Sequence, residues 1–410
     1  MNHFFILTVL VLTTVVSNLY AIPAFARQMG VSCNTCHSQN GYPSLNSFGR
    51  NFKASGFTMM GAQRKIENAV PKEKFLSIPD TLNLSIVAKI RALKSDNSKT
   101  ELQFPDELAL VVGGRISEHV GTFLEIGYDS GDNTFGMANF KLPITYKVND
   151  YTLGLVPFST DGFGAAAAFE VLNTGAVRGA RVLEERKVIS AQQYIGTATK
   201  AQGLGAYVYS ELFNVVYSAW APENGNNDHI NPAGYLRVAM TPQLGDWDIG
   251  FGGQYWFGTT QQASSATTLV APAGGGIVTS STITTIKEKK VDAYAVDFQA
   301  MGKLHNIPVS FFATYANAKH DADSFFNSNI NDKHAATALI EVAVIPSVVM
   351  LSTGYREADN GKATNSSENA AIIGAKYFLA ENVELQTSYV NNLDVDSNTN
   401  QFLFMFYAAF

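Results

Sequence analysis

Cys33 and Cys36 are the two cysteines of the chain, and His37 follows the second directly. The run Cys33-Asn34-Thr35-Cys36-His37 has the spacing for covalent attachment of one c-type haem. Two thiols three residues apart reach the two porphyrin vinyl groups as thioethers, while the adjacent imidazole turns beneath the ring to hold iron. Cys33 and Cys36 are therefore candidate anchors, and His37 is the candidate proximal iron ligand. Random placement of two cysteines with a following histidine produces this pattern about once in 10,000 trials. Three other chemistries use cysteine pairs. Structural zinc wants a second Cys/His pair, which the sequence does not supply. A redox-active dithiol wants a βαβ setting, whereas residues 30–32 and 38–43 read as loop around a short helical turn. A disulfide closing so short a loop would stabilise little.

The sequence leaves the sixth iron ligand open. Met59 and Met60 are alternative distal candidates and Met29 is a further nearby thioether. A Met/His pair would raise the reduction potential, but methionines here can equally be packing residues. His119, His229, His305, His320 and His334 fall far along the chain in strand or loop contexts. Arg27, Arg50, Lys53, Arg64 and Lys65 make the haem segment basic. That suits pairing to haem propionates or to acidic lumen residues, and it also suits a solvated surface.

Something must position this motif, and the rest of the chain says what. The 410 residues are 46% hydrophobic but only 16% charged, with 29 Lys+Arg against 35 Asp+Glu and a net charge of -6. So little positive charge leaves no electrostatic footprint for nucleic acid. A mean hydropathy of +0.01 excludes a helical membrane bundle. The apolar run 4–16, followed by small residues ending at Ala21 or at Ala24-Phe25-Ala26, reads as an export signal, with cleavage expected after Ala21. An exported chain with no later apolar run of about 18 residues is either soluble in the periplasm or a closed outer-membrane barrel.

From about Thr81 onward the hydrophobic period is two. Leu82, Leu84, Ile86, Ala88, Ile90 and Ala92 alternate with Asn83, Ser85, Lys89 and Arg91, and residues 120–128, 249–257 and 309–315 repeat the device. Short turns such as Ala380-Glu381-Asn382 alternate with long polar segments expected at 221–231, 261–290, 317–333 and 357–369. Short turns face the periplasm and long loops the outside in outer-membrane barrels. The C-terminal strand puts Phe402, Phe404, Phe406 and Phe410 on one face, like the assembly signal of such barrels. At roughly 20 residues per strand and connection, residues 80–410 make about 16 strands. The expected fold is thus all-β, an antiparallel outer-membrane β-barrel with a small N-terminal plug of helix and loop. The expected division is 1–21 signal peptide, 22–75 monohaem cytochrome c-like plug and 80–410 porin-like barrel. A periplasmic β-sandwich is the alternative.

Pro23, Phe25-Ala26-Arg27-Gln28, Gly30, Cys33, Cys36-His37, Pro43, Leu45, Phe48-Gly49-Arg50, Phe52-Lys53 and Gly56-Phe57 resemble the haem segment of the outer-membrane monohaem cytochrome–porin fusions of iron-oxidising bacteria. The resemblance covers about residues 22–60 and departs from the pattern at Met29, where threonine is usual, and at Phe57, where tyrosine is usual. It implies one covalently bound haem c plugging the barrel. It further implies ferrous iron as the extracellular electron donor and a periplasmic c-type cytochrome or similar carrier as acceptor. Such a protein conducts electrons more than it makes bonds. The rivals are a diffusion porin with an accessory haem and the same conduit with a donor other than iron. Ferrous iron capture at the outer face, as a hypothesis, would use His320, Asp321 and Asp323, or Asp129 and Asp132.

Overall fold

The structure, a computed structural model, describes residues 23–38, 44–66, 79–96, 98–129, 134–175, 183, 187–223, 231–270, 279–380, 382–394 and 399–410. The expected signal peptide, Pro43 of the resembling segment and the last residues of the expected plug lie outside them. Three short helices open the described chain: α1 (Pro23–Met29), α2 (Cys33–Cys36) and α3 (Ser47–Ala54).

The remainder is one closed antiparallel sheet. Its strands are β1 (Leu84–Ser95), β2 (Glu101–Arg115), β3 (Gly121–Asp129), β4 (Thr134–Lys141 continued by Ile144–Val148), β5 (Tyr151–Thr160), β6 (Ala201–Tyr209), β7 (Phe213–Ala221) and β8 (Ala233–Met240 continued by Gln243–Leu244). The second half comprises β9 (Trp247–Val270), β10 (Thr279–Leu304), β11 (Ile307–Ala318), β12 (Lys333–Ile345), β13 (Val349–Asp359), β14 (Ala370–Ala380), β15 (Val383–Asn392) and β16 (Gln401–Ala409). The two halves of β4 lie end to end against β5, and those of β8 against β9, so the eighteen hydrogen-bonded segments form sixteen staves among the described residues. Closure is between β1 and β16, from Val87 opposite Ala409 to Ser95 opposite Gln401.

Burial is inverted relative to a water-soluble sheet. Along β1, Ser85 and Lys89 are buried toward the lumen while the alternating apolar residues turn outward. Arg237, Gln299, Asn214 and Ser218 are fully buried, yet Val296 is 52% and Ile373 59% exposed on the outer wall. An exterior band of Val, Leu, Ile, Phe and Tyr is stable only against hydrocarbon, so this is an outer-membrane barrel and the sandwich alternative falls. Phe402 and Phe404 belong to that band.

One expected loop is mostly strand. Of residues 261–290, expected as a polar loop, 261–270 continue β9 and 279–290 begin β10, which pair from Asp248 opposite Met301 to Val270 opposite Thr279. The segment is polar because it rises past the membrane band, where neither face of a strand needs to be greasy, and its many Thr residues still favour extended backbone.

Two segments fill the lumen. The N-terminal plug enters from the short-turn end, where Ala24 N donates to Ser85 Oγ on β1, Thr145 Oγ1 of β4 donates to Ser55 O, Tyr207 Oη of β6 donates to Ala54 O, and Arg50 Nη1 donates to both carboxylate oxygens of Asp248 of β9. Between β5 and β6 the described residues 161–175, 183 and 187–200 fold inward from the long-loop end to the opposite wall. Asn173 N donates to Gln299 Oε1 on β10, Ala191 N to Thr314 Oγ1 on β11, and Thr337 Oγ1 of β12 to Ile189 O. This insert was not foreseen from the sequence. Its run Gly164-Ala165-Ala166-Ala167-Ala168 is almost wholly buried, because only small side chains let a chain cross a bore that plug and wall already crowd. Over the outer mouth, Phe325 and Phe326 pack on Trp220 and Trp256 with ring centroids 5.8 to 6.4 Å apart.

Candidate functional site

The site is built on the single turn of α2. Cys33 and Cys36, one turn apart on the same helical face, and His37, the residue that ends the turn, all border one cavity inside the lumen. His37 N donates to Cys33 O at 2.9 Å, which closes the turn. Asn46 locks it to the next helix: its Oδ1 accepts from Gly49 N and caps α3, while its Nδ2 donates to the carbonyls of Asn34 and Thr35 at 3.2 and 3.1 Å. Asn46 is a positioning residue that the sequence did not single out, since an N-cap asparagine is an ordinary feature until its amide is seen to hold the motif.

Gly49 explains why a helix can lie so close. A Cβ there would stand 2.1 Å from the Cys36 carbonyl oxygen, so any side chain drives α3 off the Cys36-His37 turn. We expect Gly49→Ala to lower the fraction of chains that stain for covalent haem several-fold, while the heat-modifiable migration of the folded barrel on gels is unchanged. Gly30, at φ 68°, makes the left-handed bend between α1 and α2 that brings the cysteines inward.

The cavity wall is otherwise largely aromatic. Phe25 stacks on Phe57 at 4.8 Å, meets Phe52 edge-on at 5.3 Å and approaches Phe123 of β3 at 6.2 Å, while Phe163 arrives from the insert. Phe57 takes φ 63°, a conformation L side chains rarely adopt, and Gln28 Nε2 donates to its carbonyl at 2.7 Å. Gln28 is fully buried and also bonds Met59 O, Asn83 Nδ2 and Arg115 N, which fastens the plug to the barrel rim. The cavity holds about 1030 Å³ between its lining atoms, open mouth included. The apolar lining suits a porphyrin, and the two thiols with a neighbouring imidazole are the donor set that a c-type haem requires.

Other uses of the motif fit less well. Burial pushes the Cys36 thiol above its ordinary range, the reverse of what an activated dithiol needs. Among the described residues no group of three His, Cys, Asp or Glu side chains is placed to hold a metal ion.

The structure brings Cys33, Cys36 and His37 together but does not bring the distal candidates to them. Met59 and Met60 are half-buried and absent from the cavity wall. Lys53 does line it, together with Lys141 of β4, whereas Arg50 is committed to Asp248. In the outer loop after β11, Asp321 pairs with Lys290 at 2.5 Å and His320 Nδ1 with Asp332 at 3.0 Å, so these groups hold the loop together. Asp132 lies outside the described residues. His37 also borders a wider recess at the short-turn end, shared with Asp246 and Lys303. A second, polar cavity adjoins the aromatic one and is lined by Lys89, Glu107, Glu125, Lys376 and Glu384.

No family model and no curated protein matches the chain. Among solved structures, it is similar to a loop-deletion mutant of OmpT, an outer membrane protein of Vibrio cholerae, at 11% identity, covering 80% of this chain and 99% of that one with a TM-score of 0.51. It is also similar to a mutant of the Rh. blastica porin, at 13% identity over 80% of this chain and 100% of that one, with a TM-score of 0.48. At such identity the OmpT likeness carries the barrel fold and nothing further.

Proposed function

We propose that this porin-like outer-membrane barrel carries electrons inward, holding one haem c through thioethers at Cys33 and Cys36 and through its iron at His37. The observation that supports this reading is the position of those three residues, on one turn facing one apolar cavity inside a lumen that plug and insert fill. The bound group supplies reversible one-electron chemistry. The chain's own residues do the rest. Phe25, Phe52, Phe57, Phe123 and Phe163 keep water from the cavity, and Asn46 and Gly49 hold the turn. The insert and the Trp220–Phe326 cap obstruct solutes that an open bore would pass. His37 borders the recess at the short-turn end, where a periplasmic c-type cytochrome or similar acceptor would approach. Ferrous iron as donor rests on the resemblance of residues 22–60 to the cytochrome–porin fusions. The same build would serve another donor.

The test is the absorption spectrum of detergent-extracted protein before and after ferrous iron is added. The ferric bands are expected to convert to ferrous bands within the mixing time or soon after. Absence of any haem band sinks the whole reading, and a haem that stays ferric with iron but reduces with dithionite leaves the conduit with a different donor. A second reading, diffusion with an accessory haem, is favoured by the polar cavity lined by Lys89, Glu107 and Glu384. Single-channel recording separates the two: the conduit is nearly silent, and a diffusion porin passes ions freely.

A further inference from the structure

Four of the cations turned into this lumen have a carboxylate partner. Arg50 is 2.8 Å from Asp248, Lys89 2.6 Å from Glu107, Arg237 3.0 Å from Glu170 and Lys376 3.8 Å from Glu384. Lys53 and Lys141 do not follow that pattern. Lys53 Nζ donates to the carbonyl oxygen of Glu170, and Lys141 Nζ donates to that of Ala167 at 2.7 Å. Among the described residues neither amine forms an ion pair with a carboxylate, although Glu125 attracts Lys141 and Glu170 attracts Lys53 from farther off. The Glu170 side chain is already taken by Arg237 and by the backbone N–H groups of Val171 and Leu172. Two ammonium groups from different elements, α3 and β4, thus reach neighbouring carbonyls of one insert at the wall of one aromatic cavity.

That arrangement is costly as it stands. A peptide carbonyl solvates an ammonium only in part, and burial among phenylalanines disfavours its charge. The cost shows at Lys53, whose amine burial pushes below the usual lysine range, with Glu170 only partly opposing. A ligand that carries two negative charges into the cavity would reverse it. Among the described residues these two lysines are, apart from His37, the only basic ones lining the cavity, and the group that the thiols would anchor bears two carboxylates.

We propose that Lys53 and Lys141 are the two arms of a clamp for the porphyrin carboxylates, one arm on the plug and the other on the barrel wall. The clamp rests on the haem reading of Cys33, Cys36 and His37. It also gives the insert a role, because the carbonyls of Ala167 and Glu170 hold both amines in place.

The test is a redox titration of the holoprotein in detergent, followed optically, for the wild type, Lys53→Gln, Lys141→Gln and Lys141→Arg. Loss of a nearby positive charge favours the ferric state. Each glutamine variant should therefore lower the ratio of reduced to oxidised haem at a fixed potential by about tenfold, a fall of about 59 mV for one electron. Lys141→Arg should stay near wild type. Glutamine can still donate to a carbonyl, so a lysine that only pegs the insert predicts unchanged potentials in both glutamine variants, and that result overturns the clamp. A changed iron spin state in Lys141→Gln would overturn it too, by making the amine an iron ligand. Wild-type protein without covalent haem would instead reject the haem reading, and the clamp with it. Lys53 and Lys141 sit on separate elements, so failure of one variant to assemble leaves the other decisive.

Discussion

Protein carrying Cys33→Ser and Cys36→Ser together is expected to assemble as a barrel but to lose all haem that survives denaturation. The sixteen-stave ladder closes between β1 and β16 without any contribution from α2, so the scaffold has no need of the thiols. Cys33 is buried, and placing a hydroxyl there costs about 1–3 kcal/mol if it finds no partner, a local penalty within the plug. Thioether attachment, in contrast, needs both sulfurs, and no other cysteine exists to substitute. The measurement is haem staining on a denaturing gel beside heat-modifiability of the same sample. Persistent staining in the double variant would show attachment elsewhere and remove the central role of residues 33–37. Single variants, with one thioether left, should retain part of the stain and bind it less stably.

The second large effect is expected at Arg237. Its guanidinium is fully buried between Asp297 of β10 and Glu170 of the insert, and Thr174 Oγ1 donates to Asp297 Oδ1 at 2.9 Å. This is the buried ionic tie between the insert and the barrel wall, beside the hydrogen bonds of Asn173, Ile189 and Ala191. Arg237→Ala leaves two carboxylates buried without their cation, a loss of about 3–5 kcal/mol for a broken buried pair. The barrel strands have their own ladders, so the insert is the part that yields. We expect the variant to keep its folded gel mobility while single-channel conductance rises at least tenfold above the wild type and the insert becomes open to limited proteolysis. Unchanged conductance would mean that the insert does not obstruct the bore, and the diffusion reading would gain accordingly. Asp297→Asn should show the same change in smaller measure, because the Glu170 pair remains.

How far the sequence reads depends on which interactions are local. The period-two alternation is imposed by the pleat of each strand between lipid and lumen, so Leu84–Ser95 and Gln401–Ala409 were legible one strand at a time. Their count came from length alone. The long strands β9 and β10 beyond Gln261 were less so, since the sequence there is polar in both registers and the alternation fades. The insert escaped notice because it has no period. It is recognisable only as a stretch of about forty residues too long for a connection, with a run of alanines in it. Met59 and Met60 are close to His37 in sequence, but they are not among the residues that line the cavity, which Phe57 still borders. Lys141 had no signal at all, being one lysine on one strand.

By itself the amino-acid order determined that this protein is a membrane barrel, because every strand must separately satisfy hydrocarbon on one side, and it supplied the Cys33-Cys36-His37 spacing on which the proposed haem attachment rests. The contents of the bore were decided only by the tertiary structure. Which carboxylates neutralise Arg50 and Arg237 and which two lysines are left facing the cavity follow from contacts between separate elements, from 26 positions apart for Lys141 and Ala167 to 198 for Arg50 and Asp248. Barrel closure creates those contacts, and no local pattern encodes them.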